Sequence, residues 1–324
     1  MKKSFKLFLA AAFLVTEFFV VALPLMITSA KADGHPIQAI THAGFGGGTD
    51  VTTRMMLLRT RRYLKQDMQL VNKKGGGGAA SMDYMMTLPA DGQHTLTWTT
   101  GHAVSMALGK TKVKLSDMQP LARGTDDPQL FVVNCKNDIK DAKKFISAQK
   151  SKSLKYGTTH VGGIDDVSAI AFTKKGKLTD PTIVPYKGVG PIKTNLIKGD
   201  IDVGVLNLGE AVTEIEDGTL CVSVVLASNR MEKLSNVPTA TELGIPVVLS
   251  TVRGFVTRKG VPADRKKQLE DAMIKAMEHK YFQSFLTDIG LDSTSVVGAD
   301  EWGKQMEVML AEMTAQLKAL GYIN

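Results

Sequence analysis

Short apolar runs alternate with amphipathic stretches along most of this chain. The runs have the length and β-branched content of buried strands, whereas the stretches between them repeat apolar positions at helical spacing. The predicted strands are Ile37–Thr41, Gln69–Asn72, Thr95–Thr99, Leu130–Asn134, Leu154–Thr158, Thr182–Pro185, Ile201–Leu206 and Cys221–Ala227. The predicted helices are Asp50–Tyr63, Ala79–Thr87, Asp141–Ala148, Val167–Thr173, Pro191–Ile197 and Gly209–Asp217. This alternation predicts an α/β fold with parallel sheets flanked by helices, in which a ligand lies at the carboxyl ends of the strands.

The last third of the chain has two long helical patterns, Ala263–Glu278 and Asp300–Leu320. The second pattern carries a broad apolar stripe, which we interpret as core packing. The stripe consists of Trp302, Met306, Met309, Leu310, Met313, Leu317 and Leu320. We find no internal repeat and no low-complexity linker. A chain of 324 residues exceeds the usual size of one core, so we expect two domains joined by strands that cross between them.

The first 32 residues follow the order of a secretory signal peptide. Lysines precede an apolar run over residues 7–25, and an A-x-A cleavage site ends at Ala32. A retained membrane anchor is disfavoured by Glu17 inside the apolar run and by the cleavage site itself. We therefore predict a periplasmic protein whose mature chain begins at Asp33.

The net charge of +8 is modest for a chain of this length, and removal of the leader lowers it. Aromatic residues make up only 6% of the chain, and no basic stripe is interleaved with them, so we exclude a nucleic-acid partner. No second segment is long and apolar enough to span a membrane. The composition favours a soluble exported protein with a weak attraction for anions.

The chain contains two cysteines, Cys135 and Cys221. An oxidising compartment permits a disulfide, but the sequence does not place the two Cα atoms within bridging distance. A bridge and a pair of small buried thiols both stay open at this point.

A search for catalytic motifs finds none of the common ones. The sequence has no G-x-S-x-G, no H-E-x-x-H, no P-loop and no paired C-x-x-C. Six histidines are scattered without metal-ligand spacing, so we predict neither a metal nor a cofactor. The run Gly44–Gly48 superficially suggests a dinucleotide fingerprint, but Thr49 stands where the third glycine is needed. We conclude that the chain is not an enzyme.

Two glycine-rich loops follow the first two predicted strands. The first reads G-F-G-G-G-T-D over residues 44–50, and the second is Gly75–Gly78. Glycine lets backbone N–H groups approach a bound group closely, and a following helix N-terminus favours negative charge. Such a nest hydrogen-bonds a carboxylate without a mobile cation. The sequence therefore predicts a site for a small anion.

Several ordered motifs resemble those of one receptor family. They are V-P-Y-K-G-V-G-P at 184–191, L-I-K-G-D-I-D-V-G at 196–204, N-V-P-T-A-T-E-L-G-I-P at 236–246, G-G-G-T-D at 46–50 and Asn72-Lys73. Together they resemble the Bug/TctC family, the periplasmic solute receptors of tripartite tricarboxylate transporters, over roughly residues 36–322. The stretch Arg253-Gly254-Phe255 leading to K-G-V-P at 259–262 resembles the citrate-receptor branch.

The resemblance implies a two-domain periplasmic-binding-protein fold of the Venus flytrap type, with crossover strands and a ligand cleft between the domains. Domain 1 would comprise residues 33–131 and 253–324, and domain 2 residues 132–252. The receptor would bind one small carboxylate, close on it and deliver it to the membrane permease subunits of the transporter. We expect it to work as a monomer. The alternative is the same receptor serving a membrane sensor kinase, which no motif distinguishes.

The resemblance also implies which residues contact the ligand. In domain 1 they are Gly46, Gly47, Gly48, Thr49 and Asp50, then Gly76, Gly77, Gly78 and Ala79, then Thr99, Thr100 and His102. In domain 2 they are Thr158, Thr159, Gly162, Gly163, Tyr186 and Asn207. Arg253 would offer a bidentate grip on a second carboxylate if it faces the cleft.

Some of these residues have a second interpretation. Thr49 is alternatively the cap of the first helix. Asp50 would repel a ligand carboxylate, so we favour a role in fixing the loop or bridging waters. Tyr186 lies either in the cleft or in the core, and we interpret Lys187 as a solvated side chain.

The loop that begins at His160 departs from the family pattern, because Asp165 and Asp166 follow it. They either cap a helix starting near Val167 or face the cleft. Two carboxylates facing the cleft would repel a second ligand carboxylate and favour an amino acid or a hydroxy acid. We favour the cap, and hence a di- or tricarboxylate.

Export with cleavage after Ala32 is directly testable. Mass spectrometry of the protein isolated from the periplasm should give Asp33 as its first residue, because the basic, apolar and A-x-A regions occur in the order that signal peptidase needs. An intact chain starting at Met1 and retained in the membrane would contradict this prediction.

Overall fold

The computed structural model describes residues 35–159, 162–319 and 321–323. The predicted leader with its cleavage site, and His160, lie outside these residues. Within the described part of the chain, no helix combines the length and apolarity needed to cross a membrane.

The elements alternate much as the sequence predicts. The strands are β1 Ile37–Thr41, β2 Met68–Asn72, β3 His94–Thr99, β4 Met118–Pro128, β5 Leu130–Asn134, β6 Lys155–Thr158, β7 Thr182–Pro185, β8 Val203–Leu206, β9 Leu220–Val225, β10 Ser250–Arg258 and β11 Val297–Gly298. The α-helices are α1 Gly48–Leu64, α2 Ala79–Met86, α3 Thr100–Ala107, α4 Ala142–Ser151, α5 Ile164–Lys175, α6 Val189–Lys198, α7 Leu208–Glu216, α8 Ala263–Glu278, α9 Lys280–Asp288 and α10 Ala299–Ala319.

The strands form two mixed sheets. The first sheet has the order β11-β4-β10-β3-β1-β2, and the second has the order β7-β6-β8-β5-β9. In the first sheet β1 runs parallel to β2 and β3, while β10 is antiparallel to β3 and β4. In the second sheet β6 runs parallel to β7 and β8, while β5 is antiparallel to β8 and β9. The expectation of wholly parallel sheets is therefore wrong.

The antiparallel strands arise where the chain passes from one sheet to the other. Only Gln129 separates β4 of the first sheet from β5 of the second. The sequence analysis missed β4 and β10 because their charged residues, prolines and Gly254 hide the apolar pattern. Both strands lie inside the first sheet, where their backbones pair on each side and their side chains, including Arg123 and Arg253, are largely buried.

Several predicted boundaries hold and others shift. Helix α8 has the bounds that the pattern predicts, and Gly199 ends α6 in the left-handed conformation with φ 83°. Pro191 is the third residue of α6, not its first. Helix α5 begins at Ile164, three positions before the predicted Val167, and α3 and α9 were not predicted.

The apolar stripe of α10 packs into the core, which confirms its interpretation for the described residues; Leu320 lies outside them. Trp302, Met306 and Leu317 are each at most 2% exposed. The Trp302 ring meets that of Trp98 in β3 at 5.7 Å between centroids. A β-carbon on Gly254 of β10 would lie 2.3 Å from the Trp302 ring, so only glycine fits beneath it. The helix thereby covers one face of the first sheet.

The structure resolves the alternatives left open for the cysteines. Cys135 follows β5 and Cys221 lies in the neighbouring β9, with their Cα atoms 5.0 Å apart, and the two residues form a disulfide. The bridge closes a sequence separation of 86 residues. It ties the edge strand of the second sheet to its neighbour.

We expect the bridge to contribute to stability chiefly by restricting the unfolded chain. Replacing both cysteines by serine should lower the free energy of unfolding by about 2–4 kcal/mol, as is typical for a bridge across a long loop. Urea unfolding of the double variant should match that of the reduced wild-type protein. A double variant as stable as the oxidised wild-type protein would contradict the bridge.

Candidate functional site

Three loops meet at the carboxyl edge of the parallel part of the first sheet. Strand β1 lies between β2 and β3 and runs parallel to both, so the chain leaves all three strands at the same edge. The loops are residues 42–47 after β1, residues 73–78 after β2, and the start of α3 directly after β3. This edge is where ligands lie in α/β folds, and it contains both glycine-rich loops.

The first loop is held by Asp50, which is buried in the first turn of α1. Its Oδ2 accepts the N–H of Gly46 at 3.1 Å and Nε of Arg54 at 2.9 Å, and its Oδ1 accepts Nη2 of Arg54 at 3.2 Å. This geometry supports loop fixing by Asp50. The helix is capped by Gly47, so the alternative in which Thr49 is the N-cap is wrong. The first N–H groups of α1 have no acceptor within the helix, which makes its N-terminus a site for negative charge.

The second loop depends on glycine at each of its four positions. Gly75, Gly76, Gly77 and Gly78 all have positive φ, at 135°, 59°, 66° and 108°. A β-carbon on Gly77 would lie 2.8 Å from Oγ of Ser105, whose hydroxyl lies 2.9 Å from the carbonyl oxygens of Gly76 and Gly77. No other residue type combines this backbone with this close approach.

His102 holds the second loop in place through a hydrogen-bonded contact with Ser81. Its ring is fully buried, and Nδ1 accepts the N–H of Thr99 at 3.0 Å. Nε2 lies 3.0 Å from Oγ of Ser81, whose hydroxyl donates to the carbonyl of Gly78 at 2.7 Å. Burial, and secondarily His42, holds the pKa of His102 well below its usual 6.5. The ring is therefore neutral and positions the loop, and both of its nitrogens are engaged within the protein.

Thr99 and Thr100 have structural contacts of their own. The hydroxyl of Thr99 lies 3.1 Å from Nδ1 of His102 at the start of α3. Thr100 Oγ1 donates to the carbonyl of Ser250 at 3.0 Å and accepts the N–H of Val252 at 2.9 Å. The third loop is thereby attached to β10, the strand that contains Arg253.

Arg253 joins the two sheets beneath the first loop. The side chain is 3% exposed. Its Nη1 donates to Oδ2 of Asp127 at 3.1 Å, Nη2 to Oδ1 of Asn207 at 3.3 Å, and Nε to Oγ1 of Thr49 at 3.3 Å. A β-carbon on Gly48 would lie 2.5 Å from Nη2, so a side chain here would displace the guanidinium from these contacts.

These contacts limit how Arg253 could bind a second ligand carboxylate. Every guanidinium nitrogen already donates to a protein oxygen. Three of its five N–H groups are thus used within the protein, and burial of the side chain at 3% exposure limits access of a ligand to the other two. Asn207 is itself fixed, because its Nδ2 donates to the carbonyls of Asp127 and Pro128 at 3.0 Å each.

Two acids beside Arg253 have raised pKa values. Burial raises the pKa of Asp127 to about 6, although the charge and hydrogen bond of Arg253 oppose the rise. Burial likewise raises the pKa of Glu210 to about 7; Arg253 and the N–H of Asn207 lower it, while Asp165 and Asp127 raise it. The buried guanidinium of Arg253 thus interacts with two acids, Asp127 and Glu210. Sequence reasoning missed both groups, because neither stands in a glycine motif.

Two described residues of the second-sheet loop at residues 158–163, Thr159 and Gly162, are held by the paired acids at the start of α5. Asp165 Oδ2 accepts the N–H of Thr159 at 2.9 Å and its hydroxyl at 2.6 Å, and Asp166 Oδ2 accepts the N–H of Gly162 at 2.6 Å. Asp165 Oδ1 also accepts Nε2 of Gln129 at 3.2 Å. The N-cap of α5 is Gly163, so the expectation that Asp165 and Asp166 cap a helix starting near Val167 is wrong, and both acids lie within the first turn.

The remaining domain 2 candidates lie near this loop. The N–H of Tyr186 donates to the carbonyl of Thr158 at 2.8 Å, and its half-buried ring packs against the apolar cluster of the second sheet. Lys187 is exposed, as its interpretation as a solvated side chain predicts. A β-carbon on Gly162 would lie 3.5 Å from Cδ1 of Leu108, which follows α3. The structure thus brings the second-sheet loop against the end of the third loop's helix.

Among the described residues, no group of three or more His, Cys, Asp or Glu side chains is placed to hold a metal ion.

The fold has two mixed sheets that are flanked by helices and joined by crossing strands, and both glycine loops lie at one edge of the first sheet. This is the architecture of a two-lobed solute-binding protein. The sequence profile of the tripartite tricarboxylate transporter family receptor, TctC, matches residues 52–320. The chain therefore belongs to the TctC family.

Relatives in sequence agree with this assignment. A UPF0065 protein of Agrobacterium vitis is 25% identical over 248 residues, which cover 75% of this chain and 71% of the relative. The protein BugT of Bordetella pertussis is 27% identical over 220 residues, which cover 65% of this chain and 66% of BugT.

Solved structures show the same fold. MatC of Rhodopseudomonas palustris, solved with bound malate, superposes with a TM-score of 0.77 at 23% identity and covers 87% of this chain and 98% of MatC. A second R. palustris protein, solved with adipate, gives a TM-score of 0.80 at 21% identity and covers 90% and 99% of the two chains. At these identities the likeness concerns the fold alone.

The acids around Arg253 predict an unusual dependence of stability on pH. The pKa of Glu210 is about 7 in the folded protein against an ordinary 4.5, so the folded state takes up a proton on acidification before the unfolded chain does. The resulting gain in stability is complete below about pH 4.5 and is lost as the pH rises through 7. Between pH 7.5 and 5, Glu210→Gln should remove a change of about 1–3 kcal/mol in the free energy of unfolding, measured with urea.

Glu216→Gln is the matched control, because Glu216 is exposed on the same helix. It should leave the profile unchanged. Glutamine at position 210 keeps an oxygen for the N–H of Asn207, so loss of the cap would not explain a difference. Identical slopes in Glu210→Gln and the wild-type protein would contradict the raised pKa.

Proposed function

We propose that this chain is a periplasmic receptor that captures one small carboxylate between its two sheets and delivers it to the membrane permease subunits of a tripartite tricarboxylate transporter. The observation that carries the proposal is the pair of glycine loops at one sheet edge, beside the N-terminus of α1. Neither loop depends on a ligand for its shape, because Asp50 holds the first and His102, through Ser81, holds the second.

Backbone N–H groups other than those of Gly46, Gly47 and Gly78, which already donate within the loops, then supply the donors for the ligand. A charge-assisted hydrogen bond of this kind contributes roughly 1.5–3 kcal/mol. Micromolar binding needs about 8 kcal/mol net, so two or three such bonds together with closure suffice. A receptor that must release its ligand to a permease works best at such a moderate affinity.

The fold supports the proposed division into domains. Strands β5 to β9, between residues 130 and 225, all belong to the second sheet, and the other strands belong to the first. We therefore propose domain 1 at residues 33–131 and 253–324 and domain 2 at residues 132–252, although β5 of the second sheet already begins at Leu130. We further propose that the receptor is a monomer and that its leader is cleaved after Ala32.

We propose a di- or tricarboxylate as the ligand. Asp165 and Asp166 are buried and accept backbone N–H groups of their own loop, which favours their loop-holding role over a cleft-facing one. Two structural neighbours contain the dicarboxylates malate and adipate. Asp165→Asn and Asp166→Asn should therefore leave the preference between a dicarboxylate and an amino acid unchanged.

The ligand contacts that we propose are the loop positions expected from the resemblance. In the first lobe these are Gly46, Gly47, Gly48, Thr49, Gly77, Gly78, Ala79, Thr99 and Thr100, with Asp50 and His102 positioning the loops. In the second lobe they are Thr158, Thr159, Gly162, Gly163, Tyr186 and Asn207.

A thermal-shift screen tests the proposed function. A carboxylate present at 100 times its dissociation constant should stabilise the fold by about 2.7 kcal/mol. The panel should contain malate, adipate, citrate and glutamate. Stabilisation by none of these, or by a ligand without a carboxylate, would contradict the proposal.

Gly47→Val tests the first loop. Gly47 has φ −72°, and a β-carbon there would lie 3.4 Å from the nearest atom, the carbonyl oxygen of Gly44, so the backbone tolerates a side chain. Because valine would fill the anion nest, we expect the stabilisation by ligand to disappear while the unliganded protein still folds. Gly190→Val, at a position of α6 with no neighbour within 4 Å of a β-carbon, is the control and should bind normally.

A further inference from the structure

A ligand with two carboxylates needs a second source of positive charge. Arg253 is the cation expected for this role, but it is 3% exposed and its three nitrogens donate to Thr49, Asp127 and Asn207. The N-terminus of α1 and the glycine loops offer partial charges suited to one carboxylate. Exposed lysines at the edge of the site are therefore the more accessible cations for a second carboxylate.

Lys74 lies between the two glycine loops of the first lobe. It directly precedes Gly75, and a β-carbon on Gly44 would lie 3.5 Å from its Nζ and 3.9 Å from its Cε. The ammonium group therefore lies against the first loop although the residue belongs to the second. Lys74 is exposed, and among the described residues no carboxylate oxygen lies within 4 Å of its Nζ.

Lys110 lies against the second-lobe loop in the same way that Lys74 lies against the first loop. Its N–H donates to the carbonyl of Ser105 at 3.0 Å, which places it just after α3. A β-carbon on Gly162 would lie 3.8 Å from its Nζ. Lys110 is exposed and, within the described part of the chain, its ammonium group also has no carboxylate within 4 Å.

The neighbouring lysines in sequence are placed differently. Nζ of Lys73 lies 3.9 Å from the centroid of the Tyr84 ring, where the ring face holds it. Lys112 lines a surface depression together with Asp83 and Asp117. Lys74 and Lys110 are therefore distinguished by their contact with predicted ligand loops and not merely by their charge.

We propose that Lys74 and Lys110 are specificity-determining residues that supply the positive charge selecting dianionic over monoanionic ligands. The inference rests on the proposed function, because it assumes that the glycine loops bind a carboxylate. An ammonium group on a flexible stem acts as a point charge without fixed geometry, so it accommodates a second carboxylate at different distances from the first. Charges at the rim of a site act mainly on the association rate and its salt dependence.

The test compares each lysine with its neighbour. Calorimetry and stopped-flow binding would be measured for the wild-type protein, Lys74→Gln and Lys110→Gln, with Lys73→Gln and Lys112→Gln as controls. The ligand pairs are adipate with hexanoate and malate with 2-hydroxybutyrate, which each differ by one carboxylate.

We expect Lys74→Gln and Lys110→Gln each to weaken dicarboxylate binding about three- to tenfold at low salt, mostly through the association rate. Monocarboxylate binding should change less than about twofold, and the dicarboxylate loss should shrink at about 0.5 M salt, where charges are screened. The controls should keep the wild-type preference.

Two outcomes separate the inference from the function on which it rests. If the wild-type protein binds dicarboxylates and neither lysine variant changes the preference over monocarboxylates, the inference is wrong and the receptor function stands. The same conclusion follows if Lys73→Gln and Lys112→Gln lower the preference equally. If the wild-type protein binds none of the four acids and no citrate or glutamate, the proposed function fails first.

Discussion

The rest of the site depends on one buried ion pair, between Arg253 and Asp127. Both side chains are about 3% exposed, and a charge that far from water needs a partner. Removing one member of such a pair leaves the other uncompensated, at a cost of about 3–5 kcal/mol. The pair also extends across the molecule, because Arg253 reaches Thr49 in the first lobe and Asn207 in the second. The start of α1, the end of β4 and the end of β8 are thus held at one point, and Gly48 must lack a side chain to leave room for it.

In the candidate site around this pair, the loop backbone and the acidic side chains have different roles. The glycine loops are the backbone segments that we propose as the anion site. The acids nearby fix these loops: Asp50 accepts the N–H of Gly46, and Asp166 accepts that of Gly162. These hydrogen bonds stabilise the negative side chains beside the proposed site.

The two lobes meet through polar contacts and not only through apolar ones. Gln129, the single residue between β4 and β5, donates to Asp165 in the second lobe and to Thr251 in the first. Such contacts are more readily exchanged than a dry apolar interface, since each polar group can return to water or to a ligand. The proposed closure on a ligand would use such contacts, whereas the disulfide and the stripe of α10 stabilise each lobe internally.

The sequence by itself determined most elements, the receptor family and the positions of the glycine-rich loops, because helix and strand periods and runs of glycine are local properties of the chain. It also indicated that Asp50 would fix its loop. Only the tertiary structure decided that β4 and β10 lie inside a sheet, that Cys135 meets Cys221, and that Arg253 is committed to Asp127. Each of these depends on groups at least 80 residues apart in the chain. No local pattern records such a pairing, since the energy of a buried polar group is set by the partners that folding brings to it.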